Sequence, residues 1–239
     1  MYSVALICEG PSDKFIIEAI LDDYLDDYRT LAIQPPQSLS RGASGPFGAG
    51  WKGIKRWCES EVKSKGGLEQ TAILENADLL VIQVDADVGH EEDIRLARPC
   101  PPPVDGANEI HTLILQWLGC SGVPDRVVLC VPAMASETWA LVSLFPEASV
   151  VQPYTGSAPD TICIECRTDI KKLLRTLGKK LKPKLVVGDL GGLKNQAKGY
   201  EAQQANITSG WSNVVATCGE AARFDGELGQ WLRSSPIIH

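Results

Sequence analysis

The chain opens with a short apolar run, VALIC at 4–8, that stops at Glu9-Gly10. Behind Pro11-Ser12-Asp13, apolar residues recur at helical spacing: Phe15, Ile16, Ala19, Ile20 and then Tyr24. A strand covered on both faces reads as an unbroken apolar run, and recurrence at three and four residues marks one face of a helix. The pattern therefore predicts strand, tight turn, helix. A second short strand is expected at 31–33, then a Pro/Ser/Gly loop over 35–50 and a helix from about 51 to 63. LLVIQV at 79–84 is a clear buried strand and runs straight into Asp85-Ala86-Asp87. A charged loop, the proline-rich stretch 99–103 and a helix over 107–118 follow, then another buried strand, RVVLCV at 126–131. Ser136 is placed to N-cap the helix that carries Glu137 and Trp139.

Strands alternating with helices predict an α/β fold with a mainly parallel, Rossmann-like sheet flanked by helices. Beyond residue 150 the pattern turns helical, with one helix over 169–181 and one or two more between 196 and 232, while 185–187 is too short to assign. The expected division is a core over 1–150 and a mostly helical C-terminal extension over 151–239 packed on it. With 239 residues and 44% hydrophobic content, the chain buries a substantial core without a disulfide or metal staple. Its eight cysteines are scattered, several inside apolar runs, so reduced buried thiols are expected. Cys163-Ile164-Glu165-Cys166 lacks the second ligand pair that zinc needs. Gly48-Ala49-Gly50-Trp51-Lys52-Gly53 satisfies a dinucleotide fingerprint but follows no buried strand, and it reads as a loop entering a helix. No apolar run approaches membrane-spanning length and the N-terminus lacks a signal-peptide pattern, so no membrane contact and a cytoplasmic address are expected.

Charge changes the picture in one place. The net charge is -7, yet 167–184 holds eight Lys/Arg and one acid, a local +7 that leaves -14 on the remainder. Within it Lys171, Arg175, Lys179 and Lys182 recur on one helical face, opposite Ile170, Leu174, Leu177 and Leu181. Two readings stand side by side: a solvated helix face, or a cationic face that holds nucleic-acid phosphates by counterion release.

The acids carry the chemistry. In a parallel sheet, residues just past the ends of 4–8 and 79–84 emerge on one edge, where open α/β sheets bind ligands. Glu9, Asp85 and Asp87 are expected to meet there. The two aspartates lie two apart, so an extended backbone aims them to one side, and Asp13 in the first helical turn faces the same crevice. Carboxylates about 4 Å apart at an effective dielectric of about 20 repel by roughly 4 kcal/mol. Such a cluster takes up protons or a hard cation, Mg²⁺ or Mn²⁺. The plainer alternative makes Glu9 and Asp13 turn acids favoured by the helix dipole and the DAD a solvated strand end.

Strand-Glu-Gly-x-x-Asp-helix (VALICEGPSDKFIIEAIL) followed by strand-DxD (LLVIQVDADV) resembles the Toprim domain, especially its OLD-like branch and the small stand-alone Toprim proteins of bacterial defence and mobile-element systems. Ser136-Glu137-Thr138-Trp139 matches a Glu-x-Trp segment of that group, and the resemblance spans 1 to about 146, with a looser match at 218–232. It implies a Toprim-like sheet that binds Mg²⁺ (or Mn²⁺) to break or join phosphodiester bonds. Glu9 would be a metal ligand and general acid/base, and Asp13, Asp85 and Asp87 further ligands; Glu137 is a fifth candidate. A topoisomerase or primase needs domains for which there is no room, which leaves a metal-dependent nuclease acting on DNA more readily than RNA, in defence against phage or mobile DNA. An ATPase partner, with the chain as its regulatory subunit, a homo-oligomer and a small-molecule phosphohydrolase all stay open. A nuclease also needs a cation near the scissile phosphate: Lys14, Lys52 and Lys55 are candidates, Lys14 being nearest in sequence. His90, just past the DAD, and Arg41 in the 35–50 loop are weaker ones.

Overall fold

The computed structural model describes residues 1–34, 47–96, 100–151, 163–185, 187 and 192–235. Four strands form one all-parallel sheet in the order β2-β1-β3-β4: β1 (Tyr2–Ile7), β2 (Tyr28–Gln34), β3 (Leu79–Gln83) and β4 (Val127–Cys130). The α/β expectation holds, and each strand lies within three residues of its expected ends. The helices are α1 (Pro11–Leu21), α2 (Gly50–Lys65), α3 (Ala72–Asn76), α4 (Pro103–Leu118), α5 (Glu137–Leu144), α6 (Ile170–Leu177), α7 (Gly192–Glu201), α8 (Gln204–Ser209), α9 (Trp211–Thr217) and α10 (Gly219–Ser234).

Strand alternation sorts the core into two layers. Val4, Leu6, Leu79, Val81 and Val128 face α1, α5 and the C-terminal helices. Ala5, Ile7, Leu80, Ile82 and Leu129 face the layer built from α2, α3 and α4. Both faces are covered, which is why the strands read as continuous apolar runs.

The C-terminal helices share the first of these layers. Trp139 of α5 meets Trp211 edge-on at 5.6 Å and stacks on Phe224 at 5.9 Å, so α9 and α10 close over it. Gly210 lets α9 approach this closely, because a Cβ there would fall 2.9 Å from the Ser143 carbonyl carbon. Gly210→Ala is expected to cost about 1–3 kcal/mol through overpacking. Gly226→Ala, in α10 with nothing within 4 Å of the added carbon, should instead stabilise by about 1 kcal/mol through helix propensity. Thermal melts of the two variants should therefore move in opposite directions; equal shifts would mean that the α5–α9 contact is loose.

Three expectations are corrected. The long helix over 169–181 stops at Leu177 and tightens into a 3-10 turn, Gly178–Lys180, where the Leu185 N–H closes onto the Gly178 carbonyl at 3.1 Å. Beyond α6, where one or two more helices were expected, the described residues form four, α7 to α10. Cys100 and Cys166 form a disulfide, joining the approach to α4 to the 3-10 turn Ile164–Cys166 across 66 residues. Cys163 and the other cysteines are free thiols, all buried except the half-buried Cys120. Among the described residues, no helix is long and apolar enough to cross a membrane.

Candidate metal centre

The site grows from the pairing of β1 and β3. Ile7 lies opposite Ile82, so the chain leaves both strands side by side. Gln83, fully buried, spans the gap: its side-chain oxygen accepts the Glu9 N–H at 3.0 Å and its amide donates to Asp85 Oδ1 at 2.7 Å. Asp85 returns the link by donating its own N–H to Glu9 Oε1 at 2.9 Å. The segment after β4 then runs alongside, Val84 and Ala86 donating to the carbonyls of Cys130 and Pro132 at 3.1 and 2.9 Å. That ladder delivers Ser136 and Glu137 to the same edge.

Ser136 does not cap α5 with its side chain. Its hydroxyl donates to Asp13 Oδ1, and its N–H to Asp85 Oδ1 at 3.1 Å. Asp13, Asp85 and Glu137 thereby converge, with one carboxylate oxygen of each within 4.8 Å of the others, and each residue is only 7% exposed. They come from α1, the end of β3 and the first turn of α5, and helix N-termini favour the negative charge at two of these positions.

Burial outweighs that help. Desolvation and the Glu137 charge push Asp13 up to about 7, against hydrogen bonds from Ser136 and the Gly10 backbone. Desolvation and Asp13 push Glu9 up to about 8, although the N–H groups of Asp85 and Trp51 favour its charged form. Burial, Asp13 and Glu9 hold Asp85 well above the carboxylate range. Carboxyls that keep protons near neutral pH are what a group of acids shows without a counter-ion.

The other expected residues separate. Asp87 is not aimed beside Asp85 by an extended backbone, because the chain turns into the 3-10 stretch Ala86–His90, and Asp87 lies outside the three-acid group. Its pKa is raised by burial, with Lys171 opposing and Glu137 adding. Glu9 lies beside the group, bonded to Asp85 rather than among its three members. Lys14 does not serve the cluster: its ammonium pairs with Glu18 one turn down α1 at 2.9 Å and lies over the Phe15 ring. Lys52 is paired with Asp93 at 2.8 Å and lies over Trp51, while Lys55 lines a separate cavity between α2 and α4. His90 is exposed, and Arg41 lies outside the described residues.

The basic strip also divides. Lys171 turns from the expected nucleic-acid face to Glu137 Oε1 at 3.4 Å, at the mouth of the cluster, with its side chain still 55% exposed. Glu137 first, then Asp85, Asp13 and Asp87, raise its pKa. Arg175 donates to the Val187 carbonyl at 3.3 Å. Lys179 and Lys182 are exposed but lie past the end of α6, so they do not extend its stripe.

Gln83 carried a signal, being the one polar residue within LLVIQV. Nothing in the pattern marked Tyr200, which α7 places 1% exposed in the layer shared with α1 and α5. The three acids offer carboxylate oxygens, a donor set that could hold a metal ion. Glu137 Oε2 is buried with no hydrogen-bond partner, as a ligand atom awaiting an ion would be. Comparisons with family models, curated proteins and solved structures return no match.

Proposed function

We propose that the chain is a Toprim-type hydrolase of phosphodiester bonds, dependent on Mg²⁺ or Mn²⁺ and acting on DNA more readily than RNA, with a role in defence against phage or mobile DNA. The observation that carries this reading is the buried group Asp13, Asp85 and Glu137 with its unpartnered Glu137 oxygen. The order of motifs, Glu9 and Asp13 after the first strand and Asp85 after the third, supports the Toprim assignment, and the defence role rests on that resemblance alone.

Asp13, Asp85 and Glu137 would hold the cation. Bound there, it supplies Lewis-acid polarisation of a phosphate oxygen and a water acidic enough to ionise at neutral pH. Glu9, bonded to the Asp85 N–H beside the three acids, is placed to take or give a proton there. Lys171 brings positive charge to the mouth, where an anionic phosphate has to approach an acidic site.

Purified chain with Mg²⁺ or Mn²⁺ should convert supercoiled plasmid to nicked or linear product. Lys171→Met should slow this at least about 10-fold, short of the roughly 100-fold or more lost with a buried charge-stabilising donor, because the lysine side chain is 55% exposed. Activity that survives in Glu9→Ala would place the cleavage elsewhere. The near-complete burial of the three acids favours one other reading, a phosphohydrolase for small esters that reach a narrow site. Turnover of free nucleotides without plasmid cleavage would select it.

A further inference from the structure

Donor accounting around the cluster leaves one conspicuous gap. Asp85 Oδ1 is held by the Gln83 amide and the Ser136 N–H. Asp13 is held by the Ser136 hydroxyl and the Gly10 backbone. Glu9 is held by the N–H groups of Asp85 and Trp51. Glu137 has Lys171 on Oε1 and nothing on Oε2.

The missing donor has a candidate in the C-terminal part of the chain. Tyr200 is 1% exposed, and its hydroxyl has no hydrogen-bond partner. α7 packs along α1, the helix of Asp13, and the Tyr200 ring belongs to the apolar layer that also contains Trp139 and Ala140 of α5. Glu137 and Asp13 are the charges that bear on the phenol. Among the described residues, a buried acceptor thus lacks a donor and a buried donor lacks an acceptor, each at a cost of about 1–3 kcal/mol while unpaired, and the Glu137 charge bears on the phenol.

We propose that Tyr200 is a positioning residue of the metal centre: when a divalent cation binds between Asp13, Asp85 and Glu137, Glu137 Oε2 ligates it through one lone pair and accepts a hydrogen bond from the Tyr200 hydroxyl through the other. The proposal rests on the cation site proposed above. It makes the C-terminal part an integral component of that site, since α6 brings the lysine to one oxygen of Glu137 and α7 brings the hydroxyl for the other. Groups that orient metal ligands in this way typically contribute 10- to 100-fold to metal affinity.

Tyr200→Phe removes only the hydroxyl, so calorimetric titration of Mn²⁺ into the full chain, paired with melts of the cation-free protein, tests the idea. The expected result is Mn²⁺ binding at least about 10-fold weaker than wild type with an unchanged or higher melting temperature in the absence of cation. Affinity within twofold of wild type overturns the role of the hydroxyl while leaving the metal centre intact. Weaker binding together with a lower cation-free melting temperature assigns the hydroxyl to the fold and also overturns it. Wild-type protein that takes up no Mn²⁺ overturns the metal centre itself, and the role of Tyr200 with it.

Discussion

Asp85→Asn should abolish the response of the protein to divalent cations while making the cation-free fold more stable above neutral pH. The carboxylate oxygens of Asp13, Asp85 and Glu137 lie within 4.8 Å of one another. A charged pair at that separation repels by about 3.5 kcal/mol at an effective dielectric of about 20. Asparagine keeps the oxygen that accepts from Gln83 and Ser136 and offers an amide to neighbouring carboxylates, so the local hydrogen bonds survive while one charge disappears. In wild-type protein, Mn²⁺ at 100 times its dissociation constant adds about 2.7 kcal/mol, a rise in melting temperature of about 5–10 °C for a chain of this size. Asp85→Asn should show a rise of less than about 1 °C at the same concentration, since one of the three acids proposed to hold the cation has lost its charge. Without cation its melt should exceed wild type by more at pH 8 than at pH 5, because burial and the neighbouring acids Asp13 and Glu9 raise the wild-type carboxyl and its charge builds up only as pH rises. A variant with the full Mn²⁺ shift would remove Asp85 from the metal centre.

The same residue shows what a pattern of apolar and polar positions reveals and what it hides. The edge where Glu9 and Asp85 meet was legible because β1 and β3 are covered on both faces and end in acids, a purely local signal. Glu137 was visible as a first-turn acid, but not the ladder from Val84 to Ala86 that carries the post-β4 segment, and Glu137 with it, to that edge. Asp87 was misplaced for a related reason: pairing with that segment turns the backbone at Ala86, and the alternation of an extended chain no longer applies.

Cations were harder still. Lys14 is close to the acids in sequence, yet a helix directs it to its i+4 neighbour Glu18, and the ammonium at the cluster comes from a helix more than 150 residues away. The expected stripe from Lys171 to Lys182 assumed one continuous helix. Docking of Leu185 against Gly178 ends it early, and side chains that share a period then diverge in space. The Cys100–Cys166 bridge and Tyr200 depend wholly on tertiary contacts, which spacing does not encode.

Stability and cation affinity should depend on pH in opposite senses, and the direction follows from the raised carboxyls. Glu9 at about 8, Asp13 at about 7, and Asp85 and Asp87, also raised, lose protons more readily in the unfolded chain than in the fold. Where a folded pKa exceeds the unfolded one, the fold binds the extra proton, so stability is greatest below the unfolded value near 4 and is lost as pH rises through the folded value. Lys171 facing the group moderates the slope without reversing it, since it stays charged throughout. Each pH unit crossed with one extra proton on the fold costs about 1.4 kcal/mol. Cation-free protein should therefore melt on the order of 10 °C lower at pH 8 than at pH 5. Mn²⁺ has to displace the same protons, so its affinity should rise about 10-fold per pH unit for each proton released, between pH 6 and 8. At saturating Mn²⁺ the decline in melting temperature should flatten or invert. Calorimetry in buffers of different ionisation enthalpy counts the released protons directly; zero release at pH 7 would mean that the acids are already charged and that no raised cluster exists.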